Sequence, residues 1–128
     1  MLEEAIALVR TFQRCAGQPA PERPVMADPD RVKTRIKWIT EELEEYLEAE
    51  TVYEQADALI DTLYYLLGAF VDSGIRADRL FEIVYQSNMR KISPDVSIVR
   101  AEDSKIEKPA EWIHPDLEVK EEIDRQMR

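Results

Sequence analysis

The run EELEEYLEAETVYEQADALIDTLYYLLG, residues 41–68, constrains the fold more than any other part of the chain. It opens with carboxylates at Glu41, Glu42, Glu44 and Glu45. It then passes into a stretch, Ala58 to Val71, whose only charged residue is Asp61. Leu59, Ile60, Leu63, Tyr64, Tyr65, Leu66, Leu67 and Phe70 make that stretch apolar or aromatic nearly all round, the pattern of a buried helix. A carboxylate buried in such a helix needs a cation, a proton or a metal ion. Arg35 is the candidate cation, and a metal ion is the alternative.

Residues in a helix advance by about 100° each. Glu41 and Glu45 therefore share a face, Glu42 neighbours Glu45, and Glu54, Asp57 and Asp61 fall on one stripe of the next helix. If the two helices pack antiparallel, their acidic stripes can face each other. Carboxylates from facing helices are the ligands that hard divalent cations take. The competing reading is a solvated acidic face. The apolar stripe of the second helix, Ile36, Ile39, Leu43, Tyr46 and Leu47, lies roughly opposite Glu41 and Glu45. Glu54 also has a local alternative, as the third residue of a capping box opened by Thr51.

The rest of the chain predicts a single all-α domain over residues 1–128, a bundle of four to five helices. Only three glycines are present, and Glu, Leu, Ala and Ile are abundant. Helices are expected over 1–15, 29–50, about 52–72, 77–91 and 115–127. Ala5, Ile6, Leu8, Val9 and Phe12 give the first its apolar spacing, and Leu80, Phe81, Ile83, Val84 and Met89 point the fourth towards the core. Residues 16–30, AGQPAPERPVMADPD, form a proline-rich loop ending in Asp28 as N-cap and Pro29 as first helical residue. Gly74 closes the third helix. In the C-terminal extension, 92–128, Val96 to Arg100 and Lys105 to Lys108 flank AEDS as a possible short hairpin. A unit of this size commonly hides its apolar surface by oligomerising. Trp38, Tyr64 and Tyr65 in particular need something to pack against.

With 45% apolar and 34% charged residues the chain reads as soluble and globular. Its formal charge of −10 argues against a nucleic-acid polymer or an anionic membrane as partner. A phosphate-bearing substrate stays open, because divalent cations can sit between two sets of negative charges. No apolar run approaches the ~20 residues of a membrane span. The start, MLEEAIALVR, does not read as a signal peptide. Cys15 is the only cysteine, which fits a cytoplasmic protein. With one Cys and one His, no Cys/His metal cluster can form, and nothing around His114 builds a triad.

Glu41-Glu42-x-x-Glu45, then Asp57-Ala-Leu-Ile-Asp61-Thr-Leu-Tyr-Tyr and Gly68, resembles the all-α nucleoside triphosphate pyrophosphohydrolases, and most of all their MazG-like, phosphoribosyl-ATP-pyrophosphohydrolase-like branch. Other pieces stand in matching order: Phe12 with Gly17, Pro19, Pro21 and Pro24; Arg35; Ser87-Asn88-Met89-x-Lys91; Lys105-Ile-x-Lys108-Pro109; then Trp112, Pro115 and Asp116. One departure is Ala58, which stands where the second metal motif usually has Glu. Asp57, one turn before Asp61, can replace it, and Glu54-x-x-Asp57 also fits the ExxD pattern.

The resemblance implies Mg²⁺, with Mn²⁺ as an alternative, held by Glu42, Glu45, Asp57 and Asp61, with Glu54 as a further candidate. Glu41 is either a ligand or the general base. The implied reaction is cleavage of a nucleoside triphosphate between its α- and β-phosphates, giving the monophosphate and pyrophosphate, in a nucleotide-pool house-cleaning or dUTPase-like role. Lys91, Lys105, Lys108 and Arg35 would hold the outer phosphates. Asn88 would meet the base edge, and Gln18 and Trp112 the base or sugar. The implied assembly is a homodimer or a dimer of dimers. Two rivals remain: a phosphoribosyl-ATP pyrophosphohydrolase, and a catalytically silent acidic helical module.

Overall fold

A computed structural model describes residues 1–92, 100–108 and 111–128. The described chain is all-α and falls into two compact units, Met1–Arg76 and Ala77–Arg128. No single described helix is long and apolar enough to cross a membrane.

The first unit contains α1 (Leu2–Cys15), α2 (Pro29–Glu48) and α3 (Val52–Ser73). Their ends lie where local chemistry puts them. The Asp28 carboxylate accepts from the N–H groups of Asp30 and Arg31, and Pro29 opens α2. The Thr51 hydroxyl accepts from the Glu54 N–H at the start of α3. Gly74 ends α3 at φ 63°, and a Cβ there would also run into the Arg23 carbonyl of the proline-rich loop. That loop is tied to α3 by the Val25 N–H, which donates to the Ser73 carbonyl at 2.9 Å.

The most extensive packing in this unit is α2 on α3, and α1 packs on α3 beside it. Arg35, early in α2, meets Asp72 at the end of α3, while Glu45, late in α2, shares a cleft with Asp57 near the start of α3. The two helices are therefore antiparallel. The apolar core is small: Ile6 and Val9 from α1, with Ala58, Leu67 and Val71 from α3.

The face that α2 turns to α3 corrects the simple reading of its pattern. Ile36, Leu43, Tyr46 and Leu47 are all exposed, Leu47 at 84%. Turned inward instead are Arg35, which is buried, and Arg31, Trp38 and Glu42, which are half-buried together with Ile39, while Glu45 at the far end is exposed. The one buried residue of α2 is Arg35. Leu59, Ile60, Leu63 and Leu66 of α3 are likewise exposed, and so are Leu8 and Phe12 of α1.

Asp72 explains the inversion. Arg35 donates to it from Nε (3.1 Å) and Nη2 (3.0 Å), Arg31 from Nε (3.2 Å), and Gln13 of α1 from Nε2 (2.9 Å). Arg35 also donates to Gln13 Oε1. Each side chain satisfies the others, as a buried charge requires. Gly68 makes room for them: a Cβ there would lie 2.5 Å from Arg35 Nη1 and 2.9 Å from Gln13 Oε1. The Arg35–Asp61 pairing considered from sequence is not formed, because Arg35 is committed to Asp72.

The second unit contains α4 (Asp78–Met89), which tightens into a 3-10 turn at Arg90–Ile92, and α5 (Asp116–Met127) packed on it. Ile83 is the buried apolar residue of α4, whereas Phe81, Val84 and Met89 are exposed rather than core. Arg90 pairs with Glu118, and Trp112 Nε1 donates to the Ser87 carbonyl at 2.8 Å. Of the expected hairpin, Arg100 and Ile106 form one antiparallel bridge; Val96–Val99 and Pro109 lie outside the described residues.

Replacing Asp72 with Ala leaves Arg35 buried and Arg31 part-buried without their shared counter-ion. The expected cost is about 3–5 kcal/mol of folding stability. Equilibrium urea unfolding, with the slope unchanged and the midpoint lowered, checks it.

Candidate active site

The antiparallel pairing that joins Arg35 to Asp72 at one end brings like charges together at the other. Glu42 from α2 lies within electrostatic reach of its neighbour Glu45 and of Asp57 and Asp61 from α3. Glu45, Glu48, Glu54 and Asp57 line a cleft of about 290 Å³ around the α2–α3 turn. No Lys, Arg or His pairs with Glu41, Glu42, Glu45, Asp57 or Asp61 among the described residues.

Glu42 bears the consequence. Burial, a hydrogen bond with Glu45, and the nearby charges of Glu45, Asp61 and Asp57 push its carboxyl from the ordinary 4.5 up to about 7. Its Oε2 is buried with no hydrogen-bond partner. An orphaned buried oxygen inside an uncompensated group of carboxylates is the donor set a hard divalent cation takes, so these residues fit one. Among the described residues no three acidic, His or Cys side chains are drawn together tightly enough to enclose an ion.

The other sequence candidates are placed variously. Asp61 is half-buried and faces Glu42 across the helix pair, while Glu41 is exposed. Glu54 does cap α3: its Oε2 accepts from the Glu50 N–H at 3.2 Å while its own N–H donates to Thr51. The same residue lines the acidic cleft, so the two readings of it coexist. Arg35 sits in the Asp72 network, and Gln18 joins that network through Arg31 Nη2, which donates to Gln18 Oε1 at 3.2 Å.

In the second unit, Lys91 and Lys108 stand over the Trp112 ring, 4.8 and 5.4 Å from its centroid. Asn88 Oδ1 accepts from Lys91 Nζ at 2.9 Å, and Lys105 is exposed. Trp112 thus has a packing role of its own, with His114 edge-on to it.

Sequence reasoning missed Asp72, Glu48, Gln13 and the pairing of Trp38 with Tyr65, whose ring centroids are 5.6 Å apart. A signal for Asp72 existed. It lies eleven residues after Asp61 and four after Gly68, on the same stripe of α3.

This fold is shared with solved proteins. One is a protein from Exiguobacterium sp. 255-15 described provisionally as an NTP pyrophosphohydrolase. It is 28% identical, with 93% of each chain covered and a TM-score of 0.51. The architecture is that of the all-α NTP pyrophosphohydrolases. The sequence profile of the phosphoribosyl-ATP pyrophosphohydrolase family matches residues 9–88, and the chain belongs to that family. It is accordingly a hydrolase of the pyrophosphohydrolase type. Comparison with curated proteins finds no match.

The raised Glu42 carboxyl sets a pH dependence for the metal-free protein. The folded state holds that proton more tightly than the unfolded chain does. Its contribution to stability is full below about 4.5 and is lost as pH climbs through about 7. In EDTA, the melting temperature of wild type relative to Glu42→Gln should fall over that window. The Gln variant carries no proton there and should lack this component.

Proposed function

We propose that the chain is a divalent-metal-dependent nucleoside triphosphate pyrophosphohydrolase that cleaves the α–β phosphoanhydride, releasing a nucleoside monophosphate and pyrophosphate. The carrying observation is the carboxylate group at the open end of the α2–α3 pair, uncompensated by any cation among the described residues, with the Glu42 oxygen left orphaned. Glu42, Glu45, Asp57 and Asp61 would hold Mg²⁺, or Mn²⁺ in its place, with Glu54 at the edge of the cleft. A cation bound there would neutralise phosphate charge and acidify a water.

The chain's own groups do the rest. Glu41, exposed and one turn from Glu45, takes a proton from the attacking water as general base. The water oxygen bonds to phosphorus, the α–β bridging P–O bond breaks, and its electron pair leaves with the departing phosphate. Within the second unit Lys91 Nζ donates to Asn88 Oδ1, which orients it. Arg35 acts at one remove, since Asp72 and Gln13 take its Nε and Nη2 donors. We place the activity in the cytoplasm, in nucleotide-pool house-cleaning. A second reading, hydrolysis of phosphoribosyl-ATP, is favoured by the description of the matching family.

The same reading includes a homodimer or dimer of dimers. Val32, Ile36, Leu43 and Leu47 form one exposed apolar face of α2, and Leu59, Ile60, Leu63 and Leu66 another on α3. Surface of this kind is normally covered. Leu63→Glu should shift the sedimentation coefficient from oligomer towards monomer.

Pyrophosphate release across canonical and modified (d)NTPs and phosphoribosyl-ATP tests the chemistry. Wild type should turn over a nucleotide only with Mg²⁺ or Mn²⁺. Asp61→Asn should lose more than about 100-fold, because even outer-sphere partners of a metal cost about 10–100-fold. Mg²⁺ should raise the melting temperature of wild type but not of Asp61→Asn. Equal melting responses, with no turnover of any substrate, would return the acids to a solvated face.

A further inference from the structure

Four unused charges flank the exposed apolar stripe of α2. Val32, Ile36, Ile39, Leu43 and Tyr46 recur at intervals of four, three, four and three, the spacing that lets one helix pack lengthwise on another. Ile39 is half-buried, and the other four are exposed, as is Leu47 beside them. On the flank of the stripe away from Arg35 and Glu42 stand Lys33 and Lys37 in the first half of the helix, then Glu44 and Glu48 in the second. All four are exposed, and none has an ion-pair partner among the described residues.

The two halves of α2 differ in sign. Residues 29–38 carry Arg31, Lys33, Arg35 and Lys37 against Asp30 alone. Residues 39–48 carry Glu41, Glu42, Glu44, Glu45 and Glu48 and no basic residue. A second α2 laid parallel on the stripe would set like charge against like along its whole length. Laid antiparallel, it sets Lys33 against the partner's Glu48 and Lys37 against the partner's Glu44. Both pairs require the same register, with a two-fold axis crossing α2 at residues 40–41. The apolar residues require it too. In that register Ile36 meets the partner's Tyr46 and Ile39 meets the partner's Leu43, and the symmetry repeats both contacts. The other exposed apolar stripe, Leu59, Leu63 and Leu66 of α3, has no such pattern, because α3 contains no Lys or Arg.

We infer that α2 is the helix through which the chain associates with itself: two copies lay their α2 helices antiparallel across this stripe, centred near Thr40, with Lys33 and Lys37 of each paired to Glu48 and Glu44 of the other. This rests on the assembly part of the reading above and gives it a face, a direction and a register. The pairing leaves clear the aromatic cavity that Phe12, Trp38, Tyr64 and Tyr65 line, one helical turn from Glu42 on the inner side of α2. It does reach the acidic cleft. Glu48 lines that cleft together with Glu45, Glu54 and Asp57, and no cation is among the lining residues. The partner's Lys33 therefore stands at the outer rim and brings there a positive charge that the cleft's own lining lacks.

Sedimentation equilibrium without nucleotide tests the pairing. Wild type should be dimeric. Lys33→Glu with Lys37→Glu turns four attractive contacts per dimer into four repulsive ones. That should weaken the dimer about tenfold or more at low salt, and less in ~1 M salt. Adding Glu44→Lys and Glu48→Lys to the same chain restores antiparallel complementarity and should return the dissociation constant to near its wild-type value. Cross-linking reads the direction. In a Cys15→Ser background, Thr40→Cys lies near the axis and should join two chains through a short bis-maleimide. Thr34→Cys, about 20 Å from its counterpart along the antiparallel pair, should not. Linkage at both positions would mean parallel helices and overturn the inference. A monomeric wild type, or a loss that the charge-inverted chain does not recover, would overturn it as well. Turnover by a monomer sinks the pairing and leaves the hydrolase intact, whereas this dimer without turnover of any substrate does the reverse.

Discussion

The buried pairing of Asp72 with Arg31, Arg35 and Gln13 is the interaction on which the rest of the structure depends. A buried ion pair usually adds little net stability over well-packed apolar residues, because desolvation offsets most of the attraction. Its value is in specificity. Asp72 comes from the end of α3, Arg31 and Arg35 from the start of α2, and Gln13 from α1. Their complete mutual satisfaction admits one register of the three helices. Gly68 belongs to the same device, since any side chain there would occupy the space the guanidinium needs.

That register has a cost at the far end of the same helix pair. Once Arg35 is opposite Asp72, antiparallel packing sets Glu42 and Glu45 against Asp57 and Asp61, and the Glu42 carboxyl rises to about 7 in response. Opposite charges close one end, and like charges strain the other. A strained end of this kind is what a functional site resembles before its counter-charge arrives. The small apolar core of Ile6, Val9, Ala58, Leu67 and Val71 lies within the same three helices.

How legible this was in the sequence depended on the range of the interaction. Asp28-Pro29, Thr51 and Gly74 mark helix ends through contacts spanning a few residues, and each stands where the pattern put it. The acidic stripes on consecutive helices were legible for the same reason: helical spacing and a short turn fix them. Arg35 was not. The sequence reading offers only Asp61 as its partner; Asp72, the acid it meets, lies on the same stripe of α3, and the register of the helices, which nothing local decides, chooses between them. The apolar stripe of α2 misled more seriously. Binary patterning assumes that apolar residues face the chain's own core. Here Ile36, Leu43 and Leu47 point away, and the polar stripe from Arg31 to Glu42 faces in.

The inversion follows from what the two faces have to do. A helix with apolar residues on one side and a charged, aromatic stripe on the other can bury only one of them against α3. Burying Leu43 and Leu47 there would turn Arg35, Trp38, Glu42 and Glu45 to water together, dispersing the carboxylates and opening the cavity beside Trp38. Burying the polar stripe keeps the carboxylates and the aromatic cavity on one continuous seam, a single turn apart, and leaves the apolar face outward. A second copy of the chain, as proposed above, would cover that face without touching the seam. In that assembly the hydrophobic term for these helices would move from folding to association, and the interior of the helix pair would be left free for chemistry.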